Sequence, residues 1–436
     1  ARWSDGNQVT AHDFVYAWRR LADPATASPY SWFAEIMALE NVGAVMSGES
    51  PPEALGIRAL DNLTLEVRLT ASLPYFAAMT THASTYPTPQ WTVKTFGDDW
   101  TKPGNIVGNG AYVLTEHIPN ETATRERNSL YWNNDATIIN KVVTLIMNDE
   151  NTDFTRWEAG ETDRGAIPSG QYPRLKAQYP EEAISFPRLC TYYYTFNLSP
   201  SGQDALQDVR VRQALSYALD RSVVTDKILQ GGQIQAFTFT PGATAGFEVP
   251  AVAFGQMTQD ERNAKAKELM AEAGYGPDNP LSVEVMYNTS EGHKKIAIAV
   301  QQMWKETLGV KATLANQEWK TFLKTRGGQN FDIARGGWCG DYNEASTFLD
   351  LLTTPSGYND GKFSNAEVDE LMTSARTMSD ATSNYTRVEE ILANEMPVIP
   401  VYHYTGVFML RKNVKGWPFN NVEQNIYSRD LYKVAD

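Results

Sequence analysis

The chain has 436 residues, a size at which a single hydrophobic core usually divides into two or three domains. Its formal net charge of -14 at pH 7 argues against a nucleic-acid partner, because such partners are bound by basic surfaces. No run of apolar residues approaches the roughly 18 that a membrane-spanning helix needs.

The first hundred residues carry mixed helix and strand signals. Residues 1–6 are typical of the middle of a domain, so we expect the N-terminus to be truncated and see no signal peptide in it. Thr10 is placed to cap a helix whose buried face carries Val15 and Trp18. Polar and apolar residues alternate from 63 to 69, which predicts a half-exposed strand.

Helix boundary signals are clearest in the second half of the chain. Residues 209–219 predict one helix. A capping box at residues 258–261 begins a second helix, which Gly274 ends. Another capping box at residues 364–367, with Ser364 as the cap, begins a further helical region that ends before Pro397.

Strand signals alternate with these helices. Residues 282–287 predict a strand, residues 296–304 an amphipathic helix, and residues 310–314 a second strand. A β-α-β unit of this kind belongs to a parallel sheet. Residues 398–402 predict a further apolar strand. Since no flexible linker is visible, we expect the lobes to be joined by ordered crossovers.

The sequence carries no catalytic or cofactor motif. There is no Walker A loop, no G-x-S-x-G, no H-E-x-x-H and no complete G-x-G-x-x-G. No two histidines have metal-ligand spacing; they are His12, His82, His117, His293 and His403. A glycosidase with two carboxylates and tryptophans for sugar stacking stays open as an alternative class.

The two cysteines, Cys190 and Cys339, are too few for a structural zinc site. From the residues alone, they are either two separate buried thiols or one disulfide in an oxidising compartment. Both alternatives are compatible with the absence of a C-x-x-C motif.

The most informative segment spans residues 335–343 and follows a strand-like stretch. Its glycines allow a ligand backbone to approach closely. Asp341 is suited to an ammonium group and Arg335 to a carboxylate, so together they suit an extended zwitterionic peptide. The alternative is a turn with an N-capping aspartate and a surface arginine.

Matching segments run the whole length of the chain. Together they resemble the periplasmic oligopeptide-binding proteins of peptide ABC importers. The segments are residues 3–6, 27–30, 105–112, 131–134, 189–194, 208–212, 287–290, 316–322 and 335–343.

The resemblance implies a ligand set. In the family, the aspartate after a Trp-Cys pair holds the peptide's N-terminal ammonium, and Asp341 matches it. The two family cysteines form a disulfide, which implies a Cys190–Cys339 bridge. Backbone groups around Gly337 and Cys339 are implied to pair with the peptide as an added strand.

Further positions are implied by the same resemblance. Arg326, Arg335 and His293 match residues that receive the carboxylates of peptides of different length. Water-filled side-chain pockets, which tolerate many side chains, are implied at several aromatic positions. These positions are Trp319, Trp338, Tyr30, His82 and Tyr404. Asn288 and Tyr193, which lie in two of the matching segments, are counted with the peptide-binding residues.

The implied fold is an α/β, type II periplasmic-binding-protein fold, with two hinged lobes and an extra domain whose N-terminal part is missing. Residues 1–88 are expected to form the extra domain, residues 89–189 with 409–436 the smaller lobe, and residues 190–408 the larger lobe. The lobes are expected to close on the peptide by a hinge motion. The resemblance implies a periplasmic monomer that delivers peptides to ABC permease subunits, without a cofactor and without enzymatic activity.

Three departures from the family limit this transfer. The family's N-terminal portion, with a glutamate that shares the ammonium, is absent; Leu229 replaces a lysine; and residues 163–168 lack the usual asparagines. A murein tripeptide is an alternative ligand, for which Arg326 would be an extra partner. Nickel, haem or sugar binding, which occurs in some relatives, is a third alternative, and the unclustered histidines argue against the metal.

Overall fold

The computed structural model describes residues 1–435, and the chain divides into two compact units. The first unit contains Ala1–Asn148, Lys412–Pro418 and the residues from Asn425 onward. The second contains Asp149–Arg411 and Phe419–Gln424. The three-part division expected from the sequence stays a prediction. Two of its boundaries, 189/190 and 408/409, fall inside single strands.

Fifteen α-helices occur in the described residues. They are α1 Ala11–Ala22, α2 Ser31–Ile36, α3 Val42–Met46, α4 Phe76–Met79, α5 Gln90–Phe96, α6 Glu150–Glu158, α7 Tyr172–Gln178, α8 Asp204–Gln207, α9 Val209–Tyr217, α10 Gln259–Glu272, α11 Glu291–Leu308, α12 Trp319–Gly327, α13 Ser346–Leu349, α14 Ala366–Ala375 and α15 Thr382–Glu395. A π-helix spans Val223–Leu229.

Fourteen strands accompany these helices over the same residues. They are β1 Ile57–Ala59, β2 Leu65–Val67, β3 Tyr112–Ile118, β4 Thr122–Arg127, β5 Lys141–Leu145, β6 Arg164–Ala166, β7 Ala183–Phe196, β8 Ile234–Gln235, β9 Ser282–Asn288, β10 Lys311–Gln317, β11 Ile333–Cys339, β12 Val398–Leu410, β13 Val414–Lys415 and β14 Tyr432–Lys433.

The first unit combines small antiparallel sheets with short helices. Its largest sheet has the order β3-β4-β5, and β1 pairs with β2. Helix α1 begins where the sequence predicts, since the Thr10 backbone N–H donates to the Asp13 carboxylate at 2.7 Å. It buries Val15 and Trp18, while the expected strand over 63–69 is confined to β2.

The second unit is built on a seven-stranded mixed sheet of order β10-β9-β11-β7-β12-β6, with β8 on β12. Strands β9 and β10 are parallel and joined by α11, which confirms the predicted β-α-β unit. The long strands β7 and β12 pair antiparallel in the middle. Strand β7 is buried on both faces, because Tyr192 and Tyr194 pack against one core cluster and Tyr193 against another.

Two expectations from the sequence were wrong. Helix α14 is capped by Asn365, whose side chain accepts from the Val368 N–H, whereas Ser364 receives a hydrogen bond from Thr354. An asparagine next to the serine competes for the same cap, and the sequence pattern does not separate them. The predicted capping box at 258–261 is confirmed, as is the helix end near Gly274.

The turn alternative for residues 335–343 was also wrong. Residues up to Cys339 belong to β11, Arg335 is only 8% exposed, and the cap of α13 is Ala345 rather than Asp341.

No helix in the described part of the chain has the length and apolar character to cross a membrane. Over the same residues, no three histidine, cysteine or acidic side chains gather as a metal site.

Candidate ligand-binding site

Strand β11 loses one of its two neighbours halfway along its length. Ile333 and Ala334 pair with β9 on one side and with β7 on the other. From Arg335 to Cys339, the strand pairs only with β7 among the described residues. The second half of β11 therefore has an open edge inside the sheet.

The direction of the backbone groups follows from the β7 pairing. The Gly340 N–H donates to the Leu189 carbonyl at 2.9 Å, so even-numbered residues of this segment face β7. The opposite Cα atoms of Cys190 and Cys339 are only 4.0 Å apart, which is typical of a non-hydrogen-bonded pair. Both observations turn the N–H and C=O groups of Gly337 and Cys339 toward the open edge.

One end of this edge is already occupied. The Arg326 guanidinium donates to the Arg335 carbonyl at 3.4 Å, a long hydrogen bond that confirms the outward direction of that carbonyl. Gly337 and Cys339 are thus the residues of β11 that remain for a ligand backbone.

Glycine is required at both central positions. A Cβ atom on Gly337 would lie 2.7 Å from Nη2 of Arg335, and one on Gly336 would overlap the Tyr193 ring. The two glycines let Arg335 fold over one face of the strand and Tyr193 cover the other.

Arg335 is a buried cation without an acidic partner among the described residues. Its Nη2 donates to the Tyr404 hydroxyl at 2.5 Å and its Nη1 to Asn288 Oδ1 at 3.4 Å. Its guanidinium lies 4.8 Å from the centre of the Tyr192 ring. Burial lowers the pKa of Arg335, but the neighbouring tyrosines raise it by more, so its pKa lies above the ordinary value. A buried charge normally has a counter-charge, which here is left to a ligand.

His293 lies beside this cation in the first turn of α11. Its ring centre is 5.5 Å from that of Tyr192. Burial, and secondly the charge of Arg335, lower the pKa of His293 to about 3. The histidine is therefore neutral at ordinary pH and acts here as a hydrogen-bonding group.

Arg326 has a different environment, although it is equally buried. Its Nε lies 2.6 Å from Oδ2 of Asp360, and its guanidinium lies 5.5 Å from the Phe322 ring centre. The predicted carboxylate receptor therefore already has an internal carboxylate partner.

The opposite end of the open edge is held by the disulfide and a short turn. The Cys190–Cys339 bridge implied by the resemblance is confirmed, with Cys190 buried and Cys339 exposed. Two residues later, the Asp341 backbone N–H donates to the Thr347 hydroxyl at 2.9 Å. Asp341 is thus fixed at the carboxyl end of β11, six residues from Arg335.

The predicted aromatic positions of the second unit differ in accessibility. Trp319 is 49% exposed at the start of α12 and stacks on Phe322. Trp338 is half-buried and meets Tyr358 edge to face. Tyr193 packs into the core behind Gly336, on the face opposite Arg335.

Tyr30 and His82 lie in the first unit, where they stack on each other with ring centres 5.1 Å apart. Phe33 completes this cluster at 4.8 Å from the histidine ring. Burial lowers the pKa of His82. Their role in binding stays a prediction.

The sequence did not point to three contributors: Asp360, Thr347 and the ring of Tyr192. Asp360 lies in an irregular segment 34 positions after Arg326, and no periodic pattern connects the two. The contacts become visible only when the sheet and its surrounding loops are assembled.

Comparison with known proteins gives a consistent result. The profile of bacterial extracellular solute-binding proteins, family 5 (middle), matches residues 1–360. Escherichia coli K12 periplasmic murein peptide-binding protein MppA is 44% identical over 100% of this chain and 81% of its own length. Salmonella typhimurium LT2 periplasmic oligopeptide-binding protein OppA is 42% identical over 99% and 80%.

A solved structure extends this similarity to the fold. The structure of the E. coli murein tripeptide binding protein MppA matches with a TM-score of 0.96 and 43% identity, over 100% of this chain and 86% of the other. The mixed α/β fold class expected from the sequence is thereby confirmed.

Proposed function

Because the chain belongs to family 5 of the bacterial extracellular solute-binding proteins, we propose that it captures short peptides in an extended form. Family 5 proteins such as OppA and MppA are binding proteins, so the chain is not an enzyme, as expected from its sequence. The hydrolase alternative is therefore set aside.

The open edge of β11 carries the proposal. Gly337 and Cys339 offer two N–H and two C=O groups, and strand addition to such an edge holds a peptide without reading its side chains. Asp341 at one end suits the ligand's ammonium, and Arg335 at the other suits its carboxylate. A bound peptide then runs antiparallel to β11.

The spacing of the two charges sets the range of ligand length. Six residue steps of extended chain place the Cα atoms of Arg335 and Asp341 about 20 Å apart. After the reach of both side chains is subtracted, roughly three to five peptide residues fill this distance. Asn288 and Tyr404 hold the guanidinium in place for the ligand carboxylate.

The location and partner follow from the relatives. MppA and OppA are named as periplasmic proteins, and we infer the same compartment for this chain. An exposed disulfide agrees with an oxidising compartment. We infer that a monomer passes its peptide to the membrane subunits of an ABC permease.

Isothermal titration calorimetry with trialanine, tetraalanine and trilysine tests the proposal. We expect binding of the free peptides, and a loss of at least about tenfold for the N-acetylated and the C-amidated forms, because each lacks one charged end. Absence of binding for all of these peptides would contradict the assignment.

A further inference from the structure

The site contains two buried arginines, and only one of them is available to an anion. Arg326 and Arg335 are both 8% exposed. Arg326 pairs with Asp360 at 2.6 Å, and the two side chains are 10% and 15% exposed. Arg335 contacts only neutral groups: Tyr404, Asn288 and the Tyr192 ring.

We propose that Asp360 is a specificity-determining residue, which neutralises Arg326 and so excludes a second ligand carboxylate from this end of the site. The proposal rests on the peptide-binding function. It names the class of ligand that is selected: short peptides with a single carboxylate near Arg335, and neutral or basic side chains beside Arg326.

Arg326 is near enough to the ligand path to influence selection. Its Nη1 donates to the Arg335 carbonyl, which faces the open edge of β11. A peptide whose C-terminus reaches Arg335 therefore ends beside the Arg326–Asp360 pair. Phe322 lies under the guanidinium and stacks with the exposed Trp319, so the neighbouring wall is aromatic.

The selection is electrostatic. An incoming carboxylate would have to share Arg326 with Asp360, and two carboxylates in one buried site repel each other. Discrimination of this kind works by making the wrong ligand unfavourable. A neutral side chain meets an already compensated pair, and a basic side chain gains the attraction of Asp360.

The same pair argues against a ligand with an additional carboxylate, such as a murein tripeptide. Arg326 is the residue that would be expected to receive that extra carboxylate, and Asp360 occupies it. Burial raises the pKa of Asp360 and Arg326 only partly offsets this, so acidic pH weakens the exclusion.

Asp360→Asn tests the proposal, because it removes the charge and keeps the shape. We would titrate the wild-type protein and the variant with tripeptides and tetrapeptides of alanine that carry Glu or Gln at the last or the penultimate position. Trialanine is the common reference ligand. The wild type should prefer Gln over Glu, and in Asp360→Asn the ratio of Glu to Gln affinity should rise at least about tenfold at one position or more.

The double variant Asp360→Asn with Arg326→Met is the matched control and should lose that gain. An unchanged Glu to Gln ratio at every position in Asp360→Asn would overturn the inference, provided that trialanine binding is retained. If Asp360→Asn does not fold, Asp360→Ser carries the same comparison. Failure of the wild type to bind any peptide would instead refute the underlying function.

Discussion

The two halves of β11 differ in residue type, in pairing and in role. Ile333 and Ala334 are apolar, fully buried and paired on both sides, so they belong to the core. From Arg335 onward, the strand carries a charged residue, two glycines and an exposed cysteine, and it pairs on one side only. One strand therefore stabilises the fold with its first half and presents a ligand edge with its second.

This comparison shows how a binding edge is built without exposing a long hydrophobic strand. Exposed edges risk pairing with other chains. Here the edge is short, the guanidinium of Arg326 covers one end of it, and a turn that contains Asp341 ends the other. The disulfide at Cys339 holds this singly paired half against β7.

The largest expected effect is on binding through Asp341→Asn. Loss of the carboxylate that pairs with the ligand's ammonium should weaken trialanine by about 100-fold or more, while the melting temperature stays near that of the wild type. Calorimetry with free and N-acetylated trialanine checks this. If the acetylated peptide loses as much affinity as the free one, Asp341 does not hold the amine.

Ile333→Ala should break the other half of the comparison. Removing a fully buried side chain from the doubly paired segment should lower the free energy of unfolding by about 2–4 kcal/mol. Urea unfolding measures this loss. Peptide affinity of the folded variant should stay within about twofold, since Ile333 lies outside the open edge. A large loss of affinity with unchanged stability would reverse the roles that we assign to the two halves.

Gly337→Ala should affect binding moderately. The added methyl group would press on the Arg335 guanidinium, which has to move away from Tyr404 and Asn288. We expect a loss of about 1–2 kcal/mol in peptide affinity, measured by calorimetry. Gly340→Ala is a control outside the strand, where the clash is with Leu189 and Thr347 instead. Equal losses from both substitutions would argue against a special role for Gly337.

His293 gives the smallest effect, and it appears in stability. The pKa of the folded histidine is about 3, below the roughly 6.5 of an unfolded one, so unfolding takes up a proton between these values. Its contribution is fully present above pH 6.5 and is lost as pH falls toward 3. Between pH 7 and pH 5, this costs about 1–2 kcal/mol.

Urea unfolding of the wild type and His293→Gln at both pH values checks the sign. The variant should lose less stability on acidification than the wild type. An equal loss in both proteins would mean that His293 is not buried as a neutral group.

Local features of the sequence predicted local structure well. The capping boxes at Thr10 and Thr258 and the β9-α11-β10 unit follow from neighbouring residues, because caps and periodic faces are short-range effects. The resemblance supplied the disulfide. The choice of Asn365 over Ser364 depended on which residue is drawn to Thr354, which the sequence does not show.

The environments of the two arginines could not be predicted. Arg335 and Arg326 are the same residue type at nearby positions, and their difference arises from Asp360 in a distant loop. Pairing across such sequence separations depends on the assembled fold. For the same reason, the loss of the β9 neighbour after Ala334 was not visible from the glycines alone.

Amide hydrogen exchange, measured by NMR with and without saturating trialanine, tests strand addition most directly. The N–H groups of Gly336 and Trp338 face β7, so their exchange should be slow in both states. The N–H groups of Gly337 and Cys339 should slow by about tenfold or more when the peptide binds. Bound peptide with unchanged exchange at Gly337 and Cys339 would contradict the binding mode.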